Sequence, residues 1–425
     1  MPARPASRLA MGICWMLVVF LVLFPKGGIK VGDIPLTWGY MLIGLTFPFL
    51  LGVRVLCLPL RYPAQTFVVA LLLLPMQVLI LYAYLFNGVE DFGMTVSTCV
   101  NLFVLPVVFL LVYAPFLPLI DGRRLANYLR FCIVTAAAWG IILFVIHPIT
   151  GHYIEIPYLT VNAQDYGELE NTKHIARGFF FKLISTYNNG NLYGTATLIL
   201  LPMYRVLEPA RWRRAIVMVA LFLTLSRSIW FGMIIYELLP AISQLARQYG
   251  NFPRVSFRLI RKQLYLLAAT VIVVIVVSIY LVPSAPSVVG FLLDPTAGGR
   301  ISQPTGHETI HLLPAAPLGG FSEIVYLSVL ASFGISGFLA FVLFMLSPIL
   351  VLRMDLTALD SPLRTAALKG LVLYSFVAMS DGGFNYIPVM AFYWFAYMIY
   401  IFGWPAFQPK VRCADIAVPQ SLSVS

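Results

Sequence analysis

The sequence predicts an all-α, polytopic integral membrane protein. Of its 425 residues, 60% are hydrophobic and only 11% are charged, and the mean hydropathy is +0.89. Apolar stretches of about 20 residues, the length that crosses the hydrocarbon core of a bilayer, recur along the chain between short polar breaks. A water-soluble core does not need this share of apolar residues, so the composition argues against a soluble enzyme or binding module.

The positions of these stretches predict about twelve transmembrane helices. They lie near residues 9–24, 34–52, 66–86, 96–117, 125–146, 191–204, 214–226, 228–245, 263–283, 322–350, 366–380 and 386–404. The first stretch follows Arg4 and Arg8 but lacks a small-residue cleavage site, so we interpret it as a retained span rather than a signal peptide. The chain is then a single polytopic membrane domain, 1–425, with a cytoplasmic tail at 405–425.

The distribution of basic residues predicts the orientation of this domain. Cytoplasmic loops of membrane proteins are enriched in Lys and Arg. If the N-terminus is cytoplasmic, the predicted spans place most of the 28 Lys and Arg residues in cytoplasmic loops and return the C-terminus to the cytoplasm. The net charge of +11 is explained by these loops and does not indicate nucleic-acid binding.

One block, LTLSRSIWFG at 223–232, places a charge inside an apolar run. Arg227 lies near the middle of the run 215–240. If that run formed a single span, every later loop would change sides, and the basic segment 247–262 would lie outside. The charge distribution therefore favours two short helices that meet at Ser226-Arg227-Ser228.

If the run forms two short helices, their length predicts how deep in the bilayer Arg227 lies. The first arm would rise only about 16 Å at ~1.5 Å per residue, roughly half the hydrocarbon thickness. An arginine at that depth costs a few kcal/mol unless it faces water or an anion. Either an aqueous cavity open to the outside surrounds Arg227, or its side chain snorkels to the interface or binds carbonyls at a helix end.

Two long segments, 147–190 and 284–321, are predicted on the periplasmic side and contain all five histidines. Loops of this length are usually functional or disordered, and these are too apolar for simple linkers. The first segment carries Arg177 and Lys182 and leads into YNNGNLYG, 187–194.

The asparagines of YNNGNLYG precede or open a short span. Asn191 is expected to cap that helix, which leaves Asn188 and Asn189 to line the floor of a cavity. Side-chain amides both donate and accept hydrogen bonds, as recognition of sugar hydroxyls requires.

The second long segment contains HETIH, 307–311, which formally matches the zinc-binding pattern HExxH. The LLPAAP that follows would end a helix within a turn and leaves little room for a third ligand. We therefore expect these histidines on a surface or a cavity wall, and we predict neither a metal nor a cofactor. The segment and the span after it supply five candidate site residues: Arg300, His307, Glu308, His311 and Glu323.

Three blocks, taken in order, resemble the O-antigen polymerase and ligase superfamily of bacterial envelope glycosyltransferases. YNNGNLYG resembles the asparagine-rich stretch before one of its spans. LTLSRSIWFG is similar to its Thr-x-Ser-Arg-x-x-Trp block. FSEIVYLSVLASFGISGFLAFVLF, 321–344, resembles the span after its large periplasmic loop. The resemblance covers residues 185–345, and its specificity comes from the order of the blocks and the loop between them.

The resemblance implies a GT-C-like architecture and metal-independent glycosyl transfer from an undecaprenyl-diphosphate-linked glycan to an acceptor hydroxyl. It also implies the bacterial inner (cytoplasmic) membrane, with membrane lipids and a regulator of chain length as partners. Arg227 would bind the diphosphate leaving group, because a guanidinium binds phosphate bidentately. The other residues expected to bind substrate are Asn188, Asn189, Asn191, Arg177, Lys182, Ser226, Arg300, His307 and Tyr326.

One departure from the superfamily separates polymerase from ligase. Ligases that transfer glycan to the lipid A core usually carry a His-Asn-x-Tyr-Leu block, whereas the matching stretch here, 323–327, reads Glu-Ile-Val-Tyr-Leu. We therefore expect a polysaccharide polymerase, with a ligase and a multi-span transporter as alternatives. Glu323, or else His311, would be the general base. Glu323 is equally suited to the first turn of a helix, where the helix dipole favours an acid.

Overall fold

A computed structural model describes residues 5–31, 34–57, 62–169, 176–177, 180–248, 311–321 and 324–405. The described residues are mostly helical, at 78%. Within the described residues, five helices are long and apolar enough to cross a membrane, and two more apolar helices are shorter. This architecture is compatible with a membrane-embedded protein. The full set of twelve spans stays a prediction, and the expected span at 263–283 lies outside the described residues.

The N-terminal part of the chain consists of long helices and one β-hairpin. Its elements are α1 (Pro5–Val18, continued by a π-helical turn, Val19–Leu23), β1 (Gly28–Val31), β2 (Ile34–Thr37), α2 (Trp38–Cys57), α3 (Ala64–Asn87), α4 (Phe92–Cys99) and α5 (Gly122–Thr150). After α4 the chain continues in π-helical and 3₁₀ turns to Leu119. Strands β1 and β2 pair antiparallel. The span expected at 34–52 therefore begins as a strand, and its helix starts at Trp38.

The C-terminal part contains helices of 13 to 28 residues and two short strands. Its elements are β3 (Ala176–Arg177), β4 (Phe180–Phe181), α6 (Gly190–Leu207), α7 (Arg211–Leu223), α8 (Arg227–Gln248), α9 (Val325–Leu352), α10 (Pro362–Asp381) and α11 (Ile387–Phe402). Helix α9 is kinked at Gly334, whose φ of 68° interrupts the helical backbone. Helices α6, α7 and α11 have 18, 13 and 16 residues, so they rise less far than α5.

Side-chain caps determine where several helices begin. Asp91 precedes α4, Asp121 precedes α5 and Ser361 precedes α10, and each accepts a hydrogen bond from a backbone N–H of the first turn. Such caps satisfy N–H groups that have no partner inside the helix. In α10 the first position is Pro362, which needs no N–H partner there.

Helix α5 links the two ends of the molecule. Its 29 residues span about 44 Å at ~1.5 Å per residue. At its start, Gly122 O accepts a hydrogen bond from Trp404 Nε1 at 3.2 Å. Its far end leads into residues 151–169, where Asn162 forms a β-bridge with Gly28 of β1. We call the end with residues 151–169 the outer end and the opposite end the inner end, after the predicted topology.

Charged side chains tie the helices together at the inner end. Glu208, which is 1% exposed, lies between α6 and α7, and its Oε2 is 3.6 Å from Arg213 Nη1. In the connection between α9 and α10, Arg364 Nη2 donates to Asp355 at 2.6 Å. Hydrogen bonds from Thr357 and Arg364 lower the pKa of Asp355. These contacts fix the inner ends of helices whose outer ends surround the candidate site.

Helices α6 and α10 pack closely against each other in the core. An added Cβ at Gly370 on α10 would lie 2.2 Å from the backbone oxygen of Ile199 on α6. Small residues allow such close approach of backbones, which is a common way to pack helices in membranes. Tyr374 on α10 and Tyr393 on α11 are both buried, and their ring centroids lie 5.3 Å apart. The position of α10 relative to α6 is therefore closely determined.

The orientation can be tested with reporters that are active only outside the cytoplasm. A reporter fused after Gly167, in the outer segment, is expected to be active, and one fused after Pro209, between α6 and α7, is expected to be inactive. The reason is that the two positions lie at opposite ends of the molecule, with the basic residues Arg211, Arg213 and Arg214 beside the second. Equal activity at the two positions, or the reverse pattern, would contradict the predicted topology.

Candidate functional site

The apolar run 215–240 is divided between two helices at the position that its arginine predicts, a short one of 13 residues and a longer one of 22. Helix α7 ends at Leu223, and α8 begins at Arg227. Between them Leu225 adopts a left-handed backbone conformation, with φ of 48°. Thr224 is buried and donates from Oγ1 to Leu221 O at 2.7 Å. We call residues 224–227 the half-helix turn.

The chain reverses direction at this turn. Helix α7 starts at the inner end, next to Glu208. Helix α8 runs alongside α6 back toward the inner end, because Ile229 contacts Gly194 near the start of α6 and Glu237 forms an ion pair with Arg205 near its end. The two arms therefore form a helical hairpin whose tip is the half-helix turn.

The half-helix turn lies near half the height of the molecule. Leu183 N donates to Leu223 O at 3.0 Å, at the tip of the hairpin. Two residues later, Ser185 Oγ donates to Ala136 O at 2.7 Å, and Ala136 is at the middle of α5. The segment that leads into α6 and the turn that carries Arg227 are thus packed together beside the middle of α5.

The asparagines before α6 have roles different from those expected. Asn189, not Asn191, caps the helix: its Oδ1 accepts from Asn191 N at 2.9 Å and from Leu192 N at 3.4 Å. Asn188 adopts a left-handed conformation and donates from Nδ2 to Thr160 O at 2.9 Å. The expected cap was wrong by two residues, because either asparagine suits a cap and only the fold decides between them.

A cavity of about 610 Å³ lies between β2, α2, α4 and the outer ends of α6, α10 and α11. Along α4 and its continuation, its lining extends from Asp91 to Leu105. This distance is about 20 Å at ~1.5 Å per residue. The cavity therefore extends from the outer end toward the middle of the molecule, where α6 begins and α10 ends. We call it the outer cavity.

Polar side chains lie where the short helices meet the outer cavity. Asn189, Asn191 and Asp381 all line it. The side-chain oxygen of Asn191 is buried and has no hydrogen-bond partner within the described part of the chain. Asp381 is the last residue of α10 and is 4% exposed. Its backbone oxygen accepts from Thr195 Oγ1 on α6 at 3.3 Å, which joins the ends of the two helices.

Aromatic side chains and one cation form another wall of the outer cavity. Lys26 Nζ lies 4.5 Å from the centroid of the Tyr386 ring, within the range of a cation–π interaction. Asn385 Oδ1 accepts from Phe321 N at 3.1 Å. The rings of Phe321 and Phe384 meet edge to face at 5.0 Å. A cavity that combines apolar walls with a few fixed polar groups is typical of small-ligand sites.

Three of the expected site residues gather at the half-helix turn rather than in the outer cavity. Arg227 opens α8, and Ser226 Oγ is 2.9 Å from Ser228 Oγ. Lys182 is 8% exposed and precedes Leu183, which bonds to the tip of the hairpin. Among the described residues, the lining of the outer cavity does not include these side chains. The turn and the cavity flank the first turns of α6 on different sides.

The remaining expected residues lie elsewhere. The backbone oxygen of His311 accepts from Ile335 N at 3.0 Å, beside the kink in α9, and its side chain is exposed. Tyr326 donates from its hydroxyl to Ser375 O on α10 at 3.2 Å. Arg177 lies in β3 and pairs through its backbone with Phe180. Outside the described residues lie Arg300, His307, Glu308 and Glu323.

Sequence analysis did not identify Asp381, Asn385, Tyr386 or Lys26 as site residues. The available signal for the first three was SDGGFNY, 380–386, a polar break between two apolar runs. Such a break also occurs in an ordinary connection between helices, so the signal is weak. The sequence around Lys26 does not indicate a site residue, because only the folded chain brings its side chain over the Tyr386 ring.

The described residues form a mostly helical protein, compatible with a membrane-embedded one, with a cavity at one end whose largely apolar walls carry a few polar groups. No protein-family model matches its sequence, and the search of curated proteins finds no match. The resemblance of its three sequence blocks is therefore an expectation that needs its own test.

Proposed function

We propose that the protein is a bacterial polysaccharide polymerase that joins undecaprenyl-diphosphate-linked repeat units at the periplasmic face of the inner membrane. The observation that carries this proposal is the half-helix turn, which holds Arg227 near half height beside the start of α6. It is supported by the resemblance of residues 185–345 to the O-antigen polymerase and ligase superfamily. The stretch 323–327, with a glutamate in place of the ligase histidine, favours polymerisation over ligation.

The electrostatics of the half-helix turn suit a diphosphate. Helices α6 and α8 both begin there, since an added Cβ at Gly190 would lie 3.4 Å from Thr224 O. A helix N-terminus carries partial positive charge, so it attracts anions and disfavours a cation. Arg227 at the first position of α8 adds a full positive charge to this end of the helix. A second cation, Lys182, precedes Leu183, whose N–H bonds to the tip of the hairpin.

The proposed reaction transfers the growing glycan to a new repeat unit. The oxygen of an acceptor hydroxyl attacks the anomeric carbon of the donor glycan, and the bond from that carbon to the diphosphate breaks. Undecaprenyl diphosphate leaves with the electron pair, and the guanidinium of Arg227 stabilises the charge that develops on it. The hydroxyl proton passes to a base. The geometry of Glu323, the base expected from the sequence, lies outside the described residues.

Deletion of the gene followed by gel analysis of the surface glycan tests this proposal. A polymerase mutant is expected to show glycan of a single repeat in place of the ladder of longer chains, and the wild-type gene should restore the ladder. Long polymer that stays on its lipid carrier would instead indicate a ligase. An unchanged glycan would contradict both activities and favour a transporter of another solute.

A further inference from the structure

An apolar groove lies between α1 and the rest of the helical bundle. Its walls come from α1, the turns 107–120, α5 and α11, with single positions of α2 and α6. Its volume is about 100 Å³, and a space of that size holds roughly eight groups as large as a water molecule. Apart from Cys14 and Tyr113, every residue that lines it has a hydrocarbon or thioether side chain. The Tyr113 hydroxyl is 2.7 Å from the hydroxyl of Thr46, so it already has a partner.

The groove occupies the inner half of the molecule. Along α1 and the π-helical turn after it, the lining extends from Ala10 to Val22, which is about 18 Å at ~1.5 Å per residue. Val22 O accepts from the Tyr187 hydroxyl at 3.1 Å, beside the segment that bonds to the middle of α5. At the other end of the groove, Ile120 and Leu125 lie on either side of the start of α5. We call this space the inner groove. Its length is close to the depth of one hydrocarbon leaflet, about 15 Å.

Helix α1 packs incompletely against the wall that it faces. Ile13, Cys14 and Leu17 all line the inner groove, yet each is only half-buried. Protein interiors are normally close-packed, with few voids larger than a water molecule. An apolar void stays dry and takes up apolar ligands. In a bilayer the apolar ligand at hand is a lipid chain, and the volume of the groove suits a single one.

The inner end of the groove is rich in positive charge. Helix α1 begins there, α2 ends there and α5 begins there. The described stretches 5–10, 50–57 and 117–129 contain four arginines and one acid, Asp121. The arginines are Arg8, Arg54, Arg123 and Arg124. All but Arg54 are exposed, so their guanidinium groups can reach a head group at the surface of the bilayer.

Arg54 places one of these charges inside the protein. It is 1% exposed and lies one helical turn inward from Leu50, which lines the groove. Its guanidinium carbon is 5.1 Å from the centroid of the Tyr62 ring, within the range of a cation–π interaction. A charge in the low-dielectric interior acts more strongly on its surroundings than the same charge in water. The inner end of the groove is therefore complementary to an anion rather than to a neutral or zwitterionic group.

From these observations we propose that the inner groove binds one acyl chain of an anionic phospholipid from the inner leaflet. The chain lies along α1 and fills the space between this helix and the bundle. The phosphate lies beside the exposed arginines at the inner ends of α1 and α5, as anionic head groups do at basic clusters next to membrane helices. The bound lipid holds α1 in place. This site is separate from the half-helix turn and the outer cavity, so it does not depend on the proposed function.

A photoreactive lipid can map the site. The probe is phosphatidylglycerol with a diazirine on one acyl chain, added to the full-length protein in detergent and illuminated. Peptide mass spectrometry should find the lipid on residues that line the groove, such as Cys14, Leu17 and Tyr113. About a tenfold excess of unlabelled dioleoyl phosphatidylglycerol should lower this labelling about tenfold, as competition for one site requires. The same excess of dioleoyl phosphatidylcholine should lower it much less.

Filling the groove should remove the site. Ala10 lines the groove on α1, and Ala10→Phe places a ring in the space of the acyl chain, so labelling of the groove should fall about tenfold or more. The matched control is Gly12→Phe on the same helix. Gly12 is exposed and does not line the groove, and an added Cβ there meets nothing within 4 Å. This variant should be labelled like the wild-type protein.

Three results would overturn the proposal. The first is labelling confined to side chains on the exposed face of α1, such as Leu9, Trp15 and Met16. The second is equal competition by phosphatidylcholine, which would remove the role of the arginines. The third is stronger competition by a polyprenyl phosphate, which would assign the groove to an isoprenoid chain instead. If Ala10→Phe does not accumulate, the mapping and the competition on the wild-type protein still decide.

Discussion

Arg227→Ala is expected to abolish chain extension while the protein still accumulates in the membrane. The guanidinium lies at the tip of a helical hairpin, and its loss would leave the departing diphosphate without its bidentate partner. Removing one group that stabilises charge in a transition state typically lowers the rate by about 10²–10³. The measurement is the gel pattern of the surface glycan, read together with an immunoblot of the membrane fraction.

Two further variants show whether this loss is specific. Arg227→Lys keeps the charge but cannot bind phosphate bidentately, so it should recover only part of the activity. Arg124→Ala removes a guanidinium that is 66% exposed at the inner end, near Asp121, and should leave the ladder unchanged. Long polymer in Arg227→Ala would rule out a role for Arg227 in leaving-group stabilisation.

The half-helix turn was predictable because it depends on two rules that act on the sequence alone. The positive-inside rule forbids one span through 215–240, and the rise per residue of a helix limits how far each arm can reach. The structure ends α7 at Leu223 and starts α8 at Arg227, close to the expected junction. Charge and length thus defined this feature without any knowledge of packing.

The features that sequence analysis missed depend on contacts between distant segments. Residues 34–37 belong to an apolar stretch, and their pairing with β1 makes them a strand; a short apolar segment alone does not distinguish strand from helix. Asn189 is the cap because the chain turns at Asn188. Asp381 lines the outer cavity only because α6 and α10 are packed together. Local patterns carry little information about such positions.

Gly370→Leu is expected to destabilise the protein and to reduce polymer formation together. An added Cβ at this position would lie 2.2 Å from the backbone oxygen of Ile199, so α10 would have to move away from α6. Overpacking a well-packed core typically costs about 1–3 kcal/mol, and a clash with backbone leaves less room for relaxation than one with a flexible side chain. The measurements are the midpoint of thermal unfolding in detergent and the glycan ladder.

The same change at an uncrowded glycine distinguishes packing from hydrophobicity. Gly52→Leu adds an identical side chain to α2, where an added Cβ meets nothing within 4 Å, and should leave both measurements unchanged. A stable Gly370→Leu protein with a normal ladder would show that the contact between α6 and α10 tolerates displacement. Asn191 on α6 and Asp381 on α10 both line the outer cavity. That result would therefore also mean that polymer formation does not depend on the distance between these two helices. We expect Gly370→Leu to lose both stability and polymer formation, because the close contact between Gly370 and Ile199 holds α6 and α10 together and positions their outer ends.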